Sequence, residues 1–274
     1  MKQWKYSVSS ADAAPLAAPL LLLGTPEENL KTAARLGYDA IEIHTREDAQ
    51  LDVNGIRSLS KELGVGISAI VTGRLNTEGH CDLIADEPYI TKACVDGMKQ
   101  YIDLAAALGT DIILGWARGK VPAGADRRRY MDRLAGNLKI LDSYAGDRNV
   151  RILIEVINRY EINTFNTAEE IMSFLETHAL PNCYAHLDTF HMGIDEENPL
   201  EAIRRCGMRL GYFHLADSTR KYPGSGQLDF TKLLETLEEV GYEGYLSVEC
   251  LPYPDHIRAA EEALQFMKQT ERSK

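Results

Sequence analysis

The sequence predicts a single-domain α/β protein, a (β/α)8 TIM barrel spanning residues 1–274. Three observations carry that prediction: a length that one barrel fills, eight β-rich runs alternating with helical segments, and later strands whose two faces differ in chemistry.

The chain has 274 residues and is 45% hydrophobic, and α/β barrels routinely run to ~250 residues as one unit. The β-rich runs cover residues 5–9, 40–44, 65–72, 111–116, 151–157, 184–189, 211–216 and 244–250. Helix signals fill the gaps. Thr25-Pro26-Glu27-Glu28 is a capping box with proline at the first helical position, where a missing N–H costs nothing. Thr167-Ala168-Glu169-Glu170 repeats that logic. Residues 89–108 and 127–145 read as long helices, and Phe230, Leu233, Leu234, Leu237 and Val240 mark one apolar helix face. Such alternation implies parallel strands joined by right-handed crossovers.

The choice between an open sheet and a closed barrel rests on the last four strands. Ile152, Ile154 and Val156 share one face of the fifth, with Leu153, Glu155 and Ile157 on the other. Ala185 and Leu187 oppose His186 and Asp188; Phe213 and Leu215 oppose Tyr212 and His214; Leu246 and Val248 oppose Tyr245, Ser247 and Glu249. An open sheet would bury the charged face under helices, whereas a barrel projects it into the mouth.

The net charge of −11 argues against a nucleic-acid partner and disfavours an anionic membrane. Five scattered cysteines without C-x-x-C read as small buried hydrophobes in a reducing, cytoplasmic setting, not as a disulfide framework or zinc site. Residues 15–24, apolar and preceded by Lys2 and Lys5, imitate a signal peptide. They are far short of the ~18 residues of a membrane span and follow a strand-like segment, so a buried loop or first-strand crossover is expected. Residues 223–226 read as a plain turn, not a phosphate cradle.

Glu155, Asp188, His214 and Glu249 each lie about one βα unit from the next, near the C-terminal ends of consecutive strands. Equal heights would bring them to one point, where unpaired carboxylates would repel strongly. A divalent cation resolves this, and the donor set suits Mn2+ foremost, with Mg2+, Co2+ or Zn2+ also compatible.

At these residues the chain resembles the xylose-isomerase-like barrel superfamily of sugar isomerases and epimerases, in its D-tagatose 3-epimerase branch. The resemblance is carried by Ile154-Glu155-Val156-Ile157-Asn158-Arg159-Tyr160-Glu161, Leu187-Asp188-Thr189-Phe190-His191-Met192, His214-Leu215-Ala216-Asp217-Ser218-Thr219-Arg220 and Ser247-Val248-Glu249-Cys250-Leu251-Pro252. Ser9-Ser10-Ala11-Asp12-Ala13 and Gly115-Trp116-Ala117-Arg118-Gly119 look most like the 5-keto-L-gluconate epimerase type. The resemblance implies that Glu155, Asp188, His214 and Glu249 ligate the metal, that Glu155 and Glu249 are the catalytic acid–base pair, and that Glu161, His191, Arg220 and Trp116 line the substrate. Arg118 is a candidate, on its chemistry, for holding a substrate carboxylate. The expected activity is epimerisation of a keto-sugar or keto-sugar acid through an enediolate, by an isomerase that assembles as a homodimer or tetramer. An aldose–ketose isomerase, an inosose-type dehydratase and a non-catalytic sugar-binding barrel are the alternatives; an endonuclease-type relative would want a basic face and more histidines.

Overall fold

A computed structural model describes residues 3–46 and 50–272. Eight parallel strands form the barrel: β1 (Lys5–Ala11), β2 (Ala40–His44), β3 (Gly66–Val71), β4 (Asp111–Leu114), β5 (Ile152–Glu155), β6 (Cys183–Asp188), β7 (Leu210–Leu215) and β8 (Tyr245–Val248). Each pairs with its sequence neighbour, and β1 also pairs with β8, which closes the sheet. An extra two-residue strand, Leu22–Leu23, lies beside β1. Eight helices surround the sheet: α1 (Pro26–Leu36), α2 (Val53–Leu63), α3 (Pro88–Leu108), α4 (Arg127–Gly146), α5 (Ala168–His178), α6 (Pro199–Cys206), α7 (Phe230–Glu239) and α8 (His256–Arg272). Short helices Gly73–Thr77 and Thr189–Asp195 follow β3 and β6 at the mouth. No helix among the described residues is long and apolar enough to cross a membrane.

The helix starts behave as their side chains dictate. Thr25 accepts from the Glu28 amide while the Glu28 carboxylate accepts from the Thr25 amide, completing the capping box. Thr167 caps the Glu170 amide in the same way, but the Glu170 carboxylate reaches back to the Asn166 amide instead.

Ile152, Ile154, Ala185, Leu187, Phe213, Leu215, Leu246 and Val248 face outward into the layer between barrel and helices. Leu153 and Tyr212 face inward, where they join Ala69, Val71 and Ile113 in a separate interior cluster. Two bulges adjust this pattern. Between β2 and β3, Ile41 pairs with Ile67 and Glu42 with Ala69, so Ser68 is the extra residue. Between β6 and β7, Ala185 pairs with Leu210 and His186 with Tyr212, so Gly211 is extra. Each bulge resets the phase of one strand against its neighbour. The second leaves Asp188 level with His214. Glycine is needed there, because a Cβ on residue 211 would lie 2.6 Å from Leu153 Cδ2 and 2.7 Å from Tyr184 Cβ.

Two expectations require correction. Cys81 and Cys94 are joined by a disulfide. The chain after Gly73–Thr77 folds back, with the Cys81 amide on the Leu75 carbonyl and the Leu83 amide on the Ala117 carbonyl, which brings Cys81 against α3. The cysteine pattern therefore no longer argues for a reducing compartment, although Cys183, Cys206 and Cys250 are buried free thiols as expected. Residues 15–24 form a buried loop only in their second half. Leu20, Leu21 and Leu22 are sealed beside β1, whereas Leu16 is 82% exposed, and residues 13–19 overhang the mouth of the barrel.

Gly211→Ala should lower stability by about 1–3 kcal/mol in urea unfolding through interior overpacking. An unchanged midpoint would contradict this close approach.

Candidate active site

Glu155 ends β5, Asp188 ends β6, His214 lies near the end of β7 and Glu249 follows β8 directly. One ligand atom from each lies within 4.8 Å of all the others. His214 Nδ1 is 3.8 Å from Glu155 Oε1, 3.6 Å from Asp188 Oδ2 and 3.7 Å from Glu249 Oε2. Asp188 also caps the short helix after β6: its Oδ1 accepts from the Phe190 amide at 2.6 Å and the His191 amide at 3.2 Å. Its Oδ2 is thereby turned toward the cluster. Both that oxygen and His214 Nδ1 are buried without a hydrogen-bond partner. Such orphaned atoms are rare in folded proteins. Four donors converging at these separations fit a cation bound at about 2.0–2.2 Å from each. The residues present therefore fit a divalent metal.

The sequence reading missed Glu42, which is fully buried on β2. Its Oε2 accepts from His214 Nε2 at 2.8 Å and its Oε1 from His44 Nε2 at 2.8 Å. Burial alone would raise the Glu42 pKa, but the two imidazoles outweigh it and hold the carboxyl well below the usual range. A carboxylate on one ring nitrogen fixes the tautomer and leaves the other nitrogen for a metal, an outer-shell arrangement that raises ligand basicity. The signal was available: Ile41-Glu42-Ile43-His44 alternates apolar and ionisable residues just as the later strands do. His186 was also passed over as a site residue. It lies below Asp188 on β6, edge-on to the His214 ring at 4.2 Å, with neither nitrogen hydrogen-bonded. Burial, aided by His214, lowers its pKa to about 3 and keeps it neutral.

The two glutamates differ in environment. Burial would raise Glu155, but the surrounding imidazoles, His214 foremost, lower its pKa to about 2. Glu249 is pushed up to about 8 by burial, with Glu155 and Glu42 adding to it against His214 and Arg220. Environments that push two carboxyls apart are how acid and base assignments arise.

Above the cluster opens a cavity of about 530 Å3, lined by Glu161, His191, Arg220 and Trp116 as well as by Glu155 and Glu249. Asn158 donates to His191 Nδ1 at 2.7 Å, so the ring carries its proton on Nε2, 3.8 Å from Glu155 Oε1. The same Asn158 amide donates to Glu161 Oε1 at 3.0 Å, and Arg220 pairs with that oxygen at 2.9 Å. Trp116 is 39% exposed at the rim. On the other side of the mouth, Asp12 bridges Arg46 and Arg74, while Glu78 accepts from both at 2.7 and 2.8 Å.

Arg118 lies elsewhere. It is fully buried, with Nε donating to Thr164 Oγ1 at 2.8 Å and its other nitrogens to the Gly115 and Phe165 carbonyls. Burial lowers its pKa to about 10, and it pins the loop after β4 to the loop after β5. The expected contact with a substrate carboxylate is thus not available to it. The 3-10 turn at Trp116–Arg118 aims Trp116 outward and its second neighbour inward, which single-residue chemistry does not reveal. Residues 223–226 form the expected plain turn, with the Gly224 amide on Asp217 and the Ser225 amide on the Tyr222 carbonyl.

Residues 30–270 match the family described as xylose isomerase-like TIM barrel. The chain is 34% identical over 220 residues to an L-ribulose 3-epimerase of Methylomonas sp. (strain DH-1), covering 79% of this chain and 75% of that protein. It is 28% identical to the 3-dehydro-D-guloside 4-epimerase of Escherichia coli (strain K12), covering 87% and 90%. Among solved structures, D-allulose 3-epimerase from Methylomonas sp. in complex with D-allulose superposes with a TM-score of 0.81 at 27% identity, covering 98% of each chain.

Metal binding should be linked to protons. Although burial opposes it, Glu42 and Glu249 raise the His214 pKa well above its ordinary value, and Glu249 titrates at about 8. Glu249 therefore holds a proton at neutral pH that a cation must displace, and the upward shift of His214 acts in the same direction, so affinity should fall as pH drops below about 8. Calorimetry at pH 7 in buffers of different ionisation heat should report release of about one to two protons per Mn2+. A binding enthalpy independent of buffer would contradict these assignments.

Proposed function

Because the chain belongs to the xylose isomerase-like TIM barrel family, we propose that it is a divalent-metal-dependent keto-sugar epimerase, with Glu155, Asp188, His214 and Glu249 as metal ligands and Glu155 and Glu249 as the proton-transfer pair. The observation that carries this reading is the meeting of those four side chains beneath a cavity that Glu155 and Glu249 line together with Glu161, His191 and Arg220. The curated relatives are sugar epimerases, which are isomerases, and this supports the reaction class.

Epimerisation next to a carbonyl requires a proton to leave one face of the carbon and another to arrive on the opposite face. A divalent cation held by Glu155, Asp188, His214 and Glu249 would supply Lewis-acid polarisation of the carbonyl and stabilisation of the enediolate charge. Glu155 and Glu249, on strands three apart in the ring, flank the space between them. Glu155 and Glu249 face that space from its two sides, so one removes the proton as base while the other delivers one as acid. The roles exchange in the reverse direction. His191 Nε2–H and the Arg220 guanidinium donate to substrate oxygens and keep the planar intermediate from turning over. Trp116 supplies an apolar wall at the entrance.

The charge of the lining favours a neutral keto-sugar over a keto-sugar acid. Among the described residues two arginines line the cavity, Arg74 and Arg220, and each already faces carboxylates. With Arg118 sealed in the loop, no arginine among the described residues brings the cavity a positive charge that is not already faced by carboxylates.

The test is a panel of keto-sugars with metal-loaded enzyme in deuterated water. The expected product is an epimer bearing one deuterium at the original carbon. An aldose labelled at the neighbouring carbon, or a dehydrated product, would select the isomerase or dehydratase alternative. Glu155→Gln and Glu249→Gln should each slow exchange by about 10²–10⁴-fold with metal occupancy verified; full turnover by either would remove the glutamate pair from the chemistry.

A further inference from the structure

Glu42 faces two histidines, and the epimerase reading gives a role to only one of them. Both Glu42 oxygens are occupied at 2.8 Å, one by His214 Nε2 and the other by His44 Nε2. An ionised carboxylate can only accept, so each of those nitrogens carries a proton, and Nδ1 is the nitrogen each ring leaves for another partner; in a neutral imidazole it is an acceptor. On His214 that Nδ1 points at the ligand cluster. On His44 it has no hydrogen-bond partner among the described residues, and it is not one of the sealed orphan atoms. The ring borders the main cavity, with Nε2 3.8 Å from Glu249 Oε1.

The opposite wall has the complementary chemistry. His191 is set by Asn158 to present an N–H, and Arg220 presents only donors. A sugar hydroxyl both gives and takes a hydrogen bond, so a pocket that fixes its orientation needs an acceptor across from these donors. We propose that His44 is a specificity-determining residue that accepts, through Nδ1, a hydrogen bond from a substrate hydroxyl close to the carbon handled by Glu249, with its tautomer set by Glu42. One buried carboxylate then orients both a metal-facing and a substrate-facing imidazole. This rests on the keto-sugar epimerase reading.

The experiment compares wild type, His44→Ala and His44→Asn, at verified equal metal occupancy, on a keto-sugar substrate and its monodeoxy analogues. The expected result is a loss of about tenfold in kcat/KM for His44→Ala on the parent sugar. That loss disappears on the one analogue lacking the contacted hydroxyl, which wild type itself handles less well by a similar factor. His44→Asn, which keeps an acceptor oxygen near the Nδ1 position, recovers part of it. An equal loss on every analogue, or none on any, overturns the proposal while leaving the epimerase reading intact. Failure of wild type to epimerise any keto-sugar overturns the epimerase reading and this inference together.

Discussion

Three buried carboxylates, Glu155, Asp188 and Glu249, converge within 4.8 Å on one imidazole nitrogen that has no hydrogen-bond partner, and their mutual repulsion must be balanced by positive charge. In water such repulsion would be modest, but in a sealed, low-dielectric mouth it is several times larger. Protons on His214 and Glu249 can balance it in part, and a divalent cation can do so more fully. The surrounding features follow from this need. Asp188 spends one oxygen on a helix N-terminus and keeps the other free. Glu42 holds the far side of His214. His186 remains neutral beneath the cluster and adds no charge of its own.

The barrel gives that charge problem a place where it can be used. Side chains alternate along each strand, so the residues that seal the helix layer and those that reach the mouth come from the same short segments. In β5 the outward Ile152 and Ile154 are fully buried against helices while Glu155 rises into the cavity. The bulges at Ser68 and Gly211 shift the phase where strict alternation would misalign neighbouring strands. Around the cluster His191 and Arg220 supply donors, and the His44 ring borders the same cavity.

Much of this could be read from the residues because alternation is a strong local signal. All eight barrel strands lie where the β-rich runs placed them, and Glu155, Asp188, His214 and Glu249 stand on the face expected. Glu42 and His44 carry the same alternating signature, but a single such pair on an early strand lacks the repetition that marks the acidic positions of the later strands. Other features depend on contacts that no local pattern encodes. Arg118 is indistinguishable in sequence from a cavity arginine until the loop at 164–165 folds over it. The Cys81–Cys94 bond needs a reversal of the chain after Leu75. The split of residues 15–24 into a sealed leucine half and an overhanging Ala–Pro half is set by pairing with Ser9 and Ser10.

The measurement that tests the shared-cation claim most directly is anomalous diffraction from crystals soaked in Mn2+. The account predicts one strong peak about 2.0–2.2 Å from a single oxygen of each of Glu155, Asp188 and Glu249 and from His214 Nδ1, with Glu42 still bonded to His214 Nε2. No peak at that point under saturating metal, or a peak bound through His214 Nε2, would contradict it.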